Sequence, residues 1–466
     1  MPVATFHDLI VAAGGRPSGE VRPGDLIGKV RTDSRLVSPG DLFWALPGTA
    51  MNGHDFVGEA FRRGAACCVV EDDRAPFEGY PRIVVNDSLT ALAKFAHAHR
   101  RACDAMVIAV TGSVGKTTTR NMLHSVLSAR FSGSQSPANF NNHVGVPLSL
   151  LEISPQHEFA VIEMGASGVG EIADLARIAA PEAAIMTSVA PSHLEKFGSL
   201  DAIEQAKGEL VEAIPHDGFV VLNGDDARVR SMSARANCRV ILVGEGTHND
   251  LRPERVHALN DLLLITVSGV EFQLPAIGRH HVLAALACIA VAREIGLSDA
   301  EIDRGLKQFQ PVGGRSRKLD VGPWTIIDDT YNASPASMAA ACESLRNWQT
   351  AGRKWLVLGD MLELGADSAA FHRQLGDLAA RSQIDGVIAT GEFAGDVISA
   401  ARAAGMQGGQ LAICRDLSTV LLHLDCWLAP GDVALVKGSR GMRMEQVIEQ
   451  LKSRAEETPL QRRLAA

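Results

Sequence analysis

Short apolar runs alternate with amphipathic stretches along most of the chain. Between residues 104 and 311 the runs VIAVT, FAVIEMG, AIMTSV and FVVLNGDD each lead into a segment of polar or helically spaced residues. Strands alternating with helices predict a mainly parallel sheet covered on both faces. The glycine- and charge-rich stretch QPVGGRSRKLDVG then reads as a linker or exposed turn. After it the alternation resumes with WTIIDDTY, KWLVLGDM, DGVIATG and DVALVKGS, which predict a smaller doubly wound sheet. Before residue 104 the runs are shorter, CCVVED and RIVVND, with turns between them. Residues 1–103, 104–311 and 312–466 are therefore expected to be separate domains. The polar tail SRAEETPLQRRLAA is expected to fray.

Length agrees with this division, since 466 residues at roughly 150 per domain give about three. The formal net charge of −9, without a long basic run, argues against a nucleic-acid partner. The eight cysteines contain no CxxC pair, so structural zinc is not expected. The N-terminus lacks a basic region followed by an apolar core, and no run approaches ~18 apolar residues. Neither a signal peptide nor a membrane span is expected, and a reduced cytoplasmic enzyme is the default.

Ligands of doubly wound sheets bind outside the carboxyl ends of the strands, and the chemically suggestive residues cluster there. The sequence TGSVGKTTT follows the first central strand. Its loop is shorter than the common G-x-x-x-x-G-K-[ST], because Val110 stands where the first glycine would fall. Gly112, Ser113 and Gly115 can still bend tightly and turn N–H groups onto phosphate oxygens. The following helix offers its positive end, Lys116 adds a point charge, and Thr117 or Thr118 can present a hydroxyl to Mg²⁺. Glu163 ends the next long strand and can hold a hard divalent cation, although a single strand-end glutamate is often structural. Lys207 lies in a helical stretch whose apolar positions are Ile203, Leu210 and Val211. A lysine beside metal and phosphate groups would repel the metal, and chemistry alone leaves open whether Lys207 is solvated or modified.

The remaining stretches are individually ambiguous. Asn141 and Asn142 in NFNNHVGVPLSLL suit a ligand-facing turn or a helix cap. DDTYNASPASM pairs Asp328 with Asp329 ahead of Tyr331 and Asn332, where a turn-and-cap role and ligand contact can coexist. LVLGDMLELGADSAAFH places Asp360, Glu363 and His372 after a strand. Lys437, Ser439 and Arg440 close another strand as an anion site or a solvated basic turn. The polar, glycine-rich stretch RTDSRLVSPGDLFWALPGTAMNGHDF could seat a nucleotide sugar.

In their order and spacing, DSR…PGDLFWAL…GHDF, TGSVGKTTT, NFNNHVGVPLSLL, EMGASGVGEI, HLEKFGSLDAIEQAKGEL, DDTYNASPASM, GDMLELGADSAAFH and KGSRGMRME resemble the Mur ligase family across nearly the whole chain. The resemblance implies an α/β protein of three domains: a small N-terminal α/β UDP-binding domain, a central P-loop ATPase-like domain with a mainly parallel sheet, and a C-terminal Rossmann-like doubly wound domain. It implies an ATP-dependent amide ligase that phosphorylates a carboxylate and lets an amine displace the phosphate. The substrates implied are UDP-N-acetylmuramoyl-tripeptide and D-alanyl-D-alanine. A diaminopimelate- or lysine-adding ligase and a folylpolyglutamate-type synthetase are the alternatives; the D-N-P-R signature of the diaminopimelate-adding members is absent. Carried over by resemblance, Gly112, Ser113, Gly115, Lys116, Thr117 and Thr118 hold the ATP phosphates and one Mg²⁺. Glu163 and His193 fall at a second Mg²⁺ site, and Lys207 matches a lysine carbamylated by CO₂, which exchanges a repelling ammonium for an anion that attracts the metal. Asp33, Ser34, Arg35, Asn52, Gly53 and His54 fall in the UDP-sugar region. Arg315, Asp329, Tyr331 and Asn332 fall where ATP meets the third domain, and Lys437, Ser439 and Arg440 near the incoming dipeptide. The stretch GRHHVLAALA departs from the family's G-x-H-N-x-x-N-A beside the adenine. His281 can still hydrogen-bond the base; Ala284 has no side chain to do so. A monomer is expected.

Overall fold

The computed structural model describes residues 4–48, 51–71, 79–192 and 194–456. Its central sheet has six parallel strands. From edge to edge these are Arg239–Val243, Phe219–Asn223, Ala183–Met186, Met106–Thr111, Phe159–Glu163 and Gly133–Gln135. Side chains alternate along each strand. Val107 and Ala109 enter one apolar cluster while Ile108 and Val110 enter another, so both faces are covered. The chain runs from Met106–Thr111 to one edge, returns through Phe159–Glu163, and then crosses to Ala183–Met186 on the other side. Val110 pairs with Glu163 and Thr111 with Met186. The glycine loop, Glu163 and the segment after Met186 thus leave the sheet at one level, at the point where strand order reverses.

Behind this edge, the helix Lys116–Leu127 buries Met122, Leu123, Val126 and Leu127 at helical spacing. It packs against His281–Glu294 and Asp299–Lys307. The latter starts with a capping box between Ser298 and Glu301. A Cβ on Gly305 would stand 2.5 Å from the Val126 Cα, so the two helices approach closer than any other residue permits. Arg255–Ala258, Leu263–Val267 and Val270–Leu274 form a separate antiparallel sheet. Its tight turn puts Ser268 and Gly269 at φ +53° and +77°, as a two-residue hairpin requires. The strand–helix alternation of the sequence does not announce it, because hairpin strands connect without a helix.

The N-terminal sheet has five strands in the order Arg16–Ser18, Arg82–Val84, Cys67–Val70, Leu42–Trp44 and Val30–Arg31, parallel except for the first pairing. One face joins the same apolar cluster as the central sheet. The helix Ser88–Arg101 docks there with polar groups as well. His97 and His99 donate to the carbonyls of Ile178 and Ile153, and the Arg100 guanidinium donates to Ala179. The C-terminal sheet has six strands in the order Arg317–Val321, Trp324–Asp329, Val433–Lys437, Lys354–Leu358, Gly386–Thr390 and Leu411–Cys414, with only the first pairing antiparallel. Asp329 and Leu358 both stand opposite Lys437, so three loops leave that sheet together.

Candidate functional site

The phosphate-type loop is fastened to the segment after Met186. Gly112 has φ +145°, and a Cβ there would lie 1.9 Å from the Thr187 hydroxyl. Only glycine fits. The Ser113 N–H donates to the Ser188 carbonyl at 2.8 Å, and the Thr187 hydroxyl donates to the Val114 carbonyl at 2.6 Å. The Asp226 carboxylate, from the NGDD stretch, accepts from the Val189 N–H at 2.7 Å and steadies the same segment. Gly115, at φ +90°, starts the helix without a side-chain cap, leaving N–H groups for an anion. The Lys116 ammonium curls back onto the carbonyls of Gly112 and Ser113, at 2.7 and 3.4 Å.

Glu163 is 1% exposed. One oxygen accepts from the Thr117 hydroxyl at 2.8 Å and the other from the Asn141 amide at 2.9 Å. Arg120, one helical turn beyond Lys116, approaches the first oxygen to 3.4 Å and is itself buried. Its one signal in the sequence is the one-turn spacing from Lys116, which puts both on the same side of the helix. A carboxylate and a hydroxyl are hard oxygen donors of the kind Mg²⁺ takes, so Glu163 and Thr117 fit that ion, while Asn141 turns its amide N–H toward the carboxylate. Among the described residues, no group of three or more histidines, cysteines and carboxylates suited to a metal occurs. His193 lies outside the described residues.

Lys207 sits in the helix Leu200–Ala213 and is 2% exposed. Burial, with repulsion from Lys116, pushes its ammonium well below the ordinary lysine range. It does not line the cleft. Two residues on, Glu209 caps another helix: its carboxylate accepts from the N–H groups of Gly170 and Ala173 at 2.6 and 2.9 Å. That carboxylate ties the Lys207 helix to the segment following Glu163.

The opposite wall comes from the C-terminal sheet, and the space between is about 810 Å³. Lys437 is buried, pairs with Asp329 at 2.7 Å and donates to the Asn332 carbonyl at 2.8 Å. Asp329 also accepts from the Ser316 N–H at 3.0 Å. Lys437 and Asp329 together thus tie three loops to one another, while Arg440 is exposed. The Ser439 hydroxyl accepts from the Leu362 N–H at 2.9 Å. His372 donates from Nδ1 to the Ser368 carbonyl and accepts the Met361 N–H on Nε2, so its ring is a strut of the GDML turn. Asp360 caps the turn at Glu392 and Phe393. Tyr331 carries the Arg315 guanidinium 4.1 Å over its ring, with Arg440 at 5.8 Å. Burial lowers the pKa values of Lys116 and Arg120; Glu163 offsets this and Arg315 adds to it. Cations from the two walls are therefore close enough to disfavour one another's charged forms, an arrangement that calls for a polyanion.

Leu283, Ala284, Ala287 and Ala340 form an apolar side of the cleft. His281 stands among them with Nδ1–H donating to the Ile277 carbonyl at 2.9 Å. Its Nε2 is thereby fixed as an acceptor. Ser113, Gly115, Thr117, Thr118, Asn141, Arg315, Asp329, Tyr331, Asn332, Lys437, Ser439 and Arg440 all face this space.

The N-terminal group stands apart from it. Asp33 accepts from Arg35 at 2.9 and 2.7 Å, and the Ser34 hydroxyl donates to Glu59 at 2.9 Å. Asn52 accepts from the N–H of His54 and from its Nδ1, while Nε2 accepts the Glu71 N–H. A Cβ on Gly53 would meet the Leu46 backbone at 2.7 Å. None of these residues lines the cleft, and Asn142, whose side chain accepts from the N–H groups of Val144 and Gly145, does not line it either.

Three family descriptions match consecutive parts of the chain. They are "Mur ligase family, catalytic domain" over residues 26–100, "Mur ligase middle domain" over 110–292, and "Mur ligase, glutamate ligase domain" over 314–440. The chain is 36% identical to the UDP-N-acetylmuramoyl-tripeptide–D-alanyl-D-alanine ligase of Bacillus subtilis, covering 91% of this chain and 92% of that one. It is 34% identical to the ligase of the same name from Escherichia coli, covering 93% and 96%. Among solved structures, MurF from Acinetobacter baumannii superposes with a TM-score of 0.88 at 32% identity, over 97% of this chain and 100% of that one. MurF from Thermotoga maritima in complex with ADP gives 0.80 at 29% identity, over 92% and 98%.

Proposed function

This chain belongs to the Mur ligase family, and from that membership together with its cationic cleft we infer that it is an ATP-dependent ligase joining UDP-N-acetylmuramoyl-tripeptide to D-alanyl-D-alanine in peptidoglycan precursor synthesis. The observation that carries this reading is the facing of the glycine loop and Glu163 by Arg315, Tyr331 and the Asp329–Lys437 pair across one cleft.

A carboxylate and an amine do not condense without activation. The tripeptide carboxylate accepts the terminal phosphoryl group of ATP, ADP is the product, and the dipeptide amine then displaces phosphate from the acyl phosphate. Two anions must meet for the first step. Gly112 to Thr118 cradle the phosphates with backbone N–H groups, and Lys116 turns from its loop carbonyls to the phosphate oxygens. Thr117, Glu163, His193 and Lys207, the last as its carbamate, would hold Mg²⁺ at two sites, where it would screen the phosphate charge. A neutral, buried amine is the form that reacts with CO₂, which the depressed pKa of Lys207 favours. Arg315, Asp329, Tyr331 and Asn332 close on the nucleotide, His281 accepts from the base, and Ser439 and Arg440 stand toward the dipeptide. Exclusion of water by the third domain protects the acyl phosphate from hydrolysis.

Asp33 to Arg35 and Asn52 to His54 hold the UDP-sugar, with domain limits at 1–103, 104–311 and 312–466. No helix among the described residues is long and apolar enough to cross a membrane. The enzyme works as a monomer in the cytoplasm. A panel of amine acceptors with purified nucleotide-tripeptide tests the reading: ADP and phosphate are released only when D-alanyl-D-alanine is also present. Turnover with a single L-amino acid in its place would reassign the chain to another branch of the family.

A further inference from the structure

Arg120 touches neither the cleft nor the solvent, yet it stands against the carboxylate on which the metal reading depends. It is 3% exposed, and its Nη1 donates to the Ala138 carbonyl at 2.6 Å. Its Nε is buried without a partner. Burial and this one bond hold the guanidinium behind the carboxylate. Glu163, at 3.4 Å, is also held by Thr117 and Asn141. The opposite charges of the buried pair, 3.4 Å apart, balance each other, and Lys116 on the cleft side is a second cation beside Glu163. A free divalent cation approaching Glu163 therefore meets a neutral or positive field. Once a polyphosphate lies on the glycine loop, that field reverses.

We propose that Arg120 is a positioning residue that makes divalent-metal loading at Glu163 conditional on bound nucleotide, by balancing the carboxylate's charge and fixing its orientation from behind. The proposal rests on the reading of Glu163 as a metal ligand. It predicts an order, nucleotide with or before metal, which would keep an empty cleft from filling with cations.

Mn²⁺ binding to the full chain tests it, by electron paramagnetic resonance without nucleotide and by water-proton relaxation with a non-hydrolysable ATP analogue. Relaxation separates the ternary complex from Mn²⁺ held by nucleotide alone. In the parent, Mn²⁺ binds the nucleotide-free protein far more weakly than it joins the ternary complex. Arg120→Met tightens nucleotide-free binding about tenfold and moves the ternary affinity much less. Arg120→Lys keeps the charge and stays close to the parent. Arg120→Gln, which can still donate to Ala138, serves as the neutral variant if the methionine variant does not fold. Equal Mn²⁺ affinity with and without nucleotide in the parent would overturn the proposal, as would a folded neutral variant that binds no more tightly than the parent. A parent that takes no Mn²⁺ even with the analogue would remove Glu163 as a metal ligand and the proposal with it. That outcome is distinct from a sound ternary complex with an unresponsive Arg120.

Discussion

Lys207 buries a long cationic side chain to 2% exposure, and among the described residues no carboxylate forms an ion pair with it. Burial costs the charged form free energy, and Lys116 adds to that cost. Such a position is hard to justify by packing, since a leucine or methionine would fill it without the charge. The proposed carbamate would account for both the burial and the amine. Lys207→Ala should therefore lower turnover about a hundredfold, with partial recovery when a short carboxylate is added. Phosphate release measured with both substrates decides it; a fully active alanine variant would remove the carbamate role. From the sequence, the lysine was conspicuous but its environment was not, because the surrounding helix also has a polar face. Arg120 was less legible still: a single arginine in a helix gives no sign that it will be buried against a glutamate 43 residues later.

Elements were easier to read than their junctions. Strands such as Met106–Thr111 and Val433–Lys437 are apolar on both faces, so their runs stand out in the chain. Lys437 shows the limit of this reading, since its place after a strand suggested an anion site while its partners, Asp329 and the Asn332 carbonyl, come from 105 residues or more away in sequence. Close approach is equally invisible in a sequence. Gly305 could be any helix glycine until the Val126 backbone is found against it, and Gly305→Ala should cost about 1–3 kcal/mol by forcing the phosphate-loop helix outward. Urea unfolding measures this; an unchanged midpoint would mean that the pair relaxes freely. At the junction of the first two domains, burial lowers the pKa of His99, opposed by its bond to Ile153. A base depressed by folding takes up protons more readily in the unfolded chain. Its contribution is intact above the ordinary histidine pKa of about 6.5 and is lost as the pH falls through that value toward the depressed one. His99→Gln keeps a donor for Ile153 and should flatten the dependence of melting temperature on pH between about 7.5 and 5.5. An equally steep variant would place the acid sensitivity elsewhere, for example at the buried His281.

Across the whole molecule, like charges face one another where the second and third domains meet. Arg315 sits over Tyr331 on one wall, and it disfavours the charged forms of Lys116 and Arg120 on the other. Without a polyanion this juxtaposition disfavours close approach of the two walls; with one, each cation would gain a partner and closure would be favoured. Nucleotide should then do more than occupy its loop. At about one hundred times its dissociation constant it adds ~2.7 kcal/mol to the form that binds it. Because its contacts lie on both walls, part of that gain should appear in the third domain. Hydrogen exchange at residues 312–316 and 328–334 should slow on addition of nucleotide, along with exchange at residues 112–118. Arg315→Ala should keep protection at the glycine loop while losing most of it in the third-domain segments, because the alanine variant removes the third-domain cation that faces the loop without touching the phosphate cradle. Protection that stops at the glycine loop in the parent would mean that the third domain is not drawn in by nucleotide. Closure would then have to come from the tripeptide or the dipeptide, and the same measurement repeated with each would identify which.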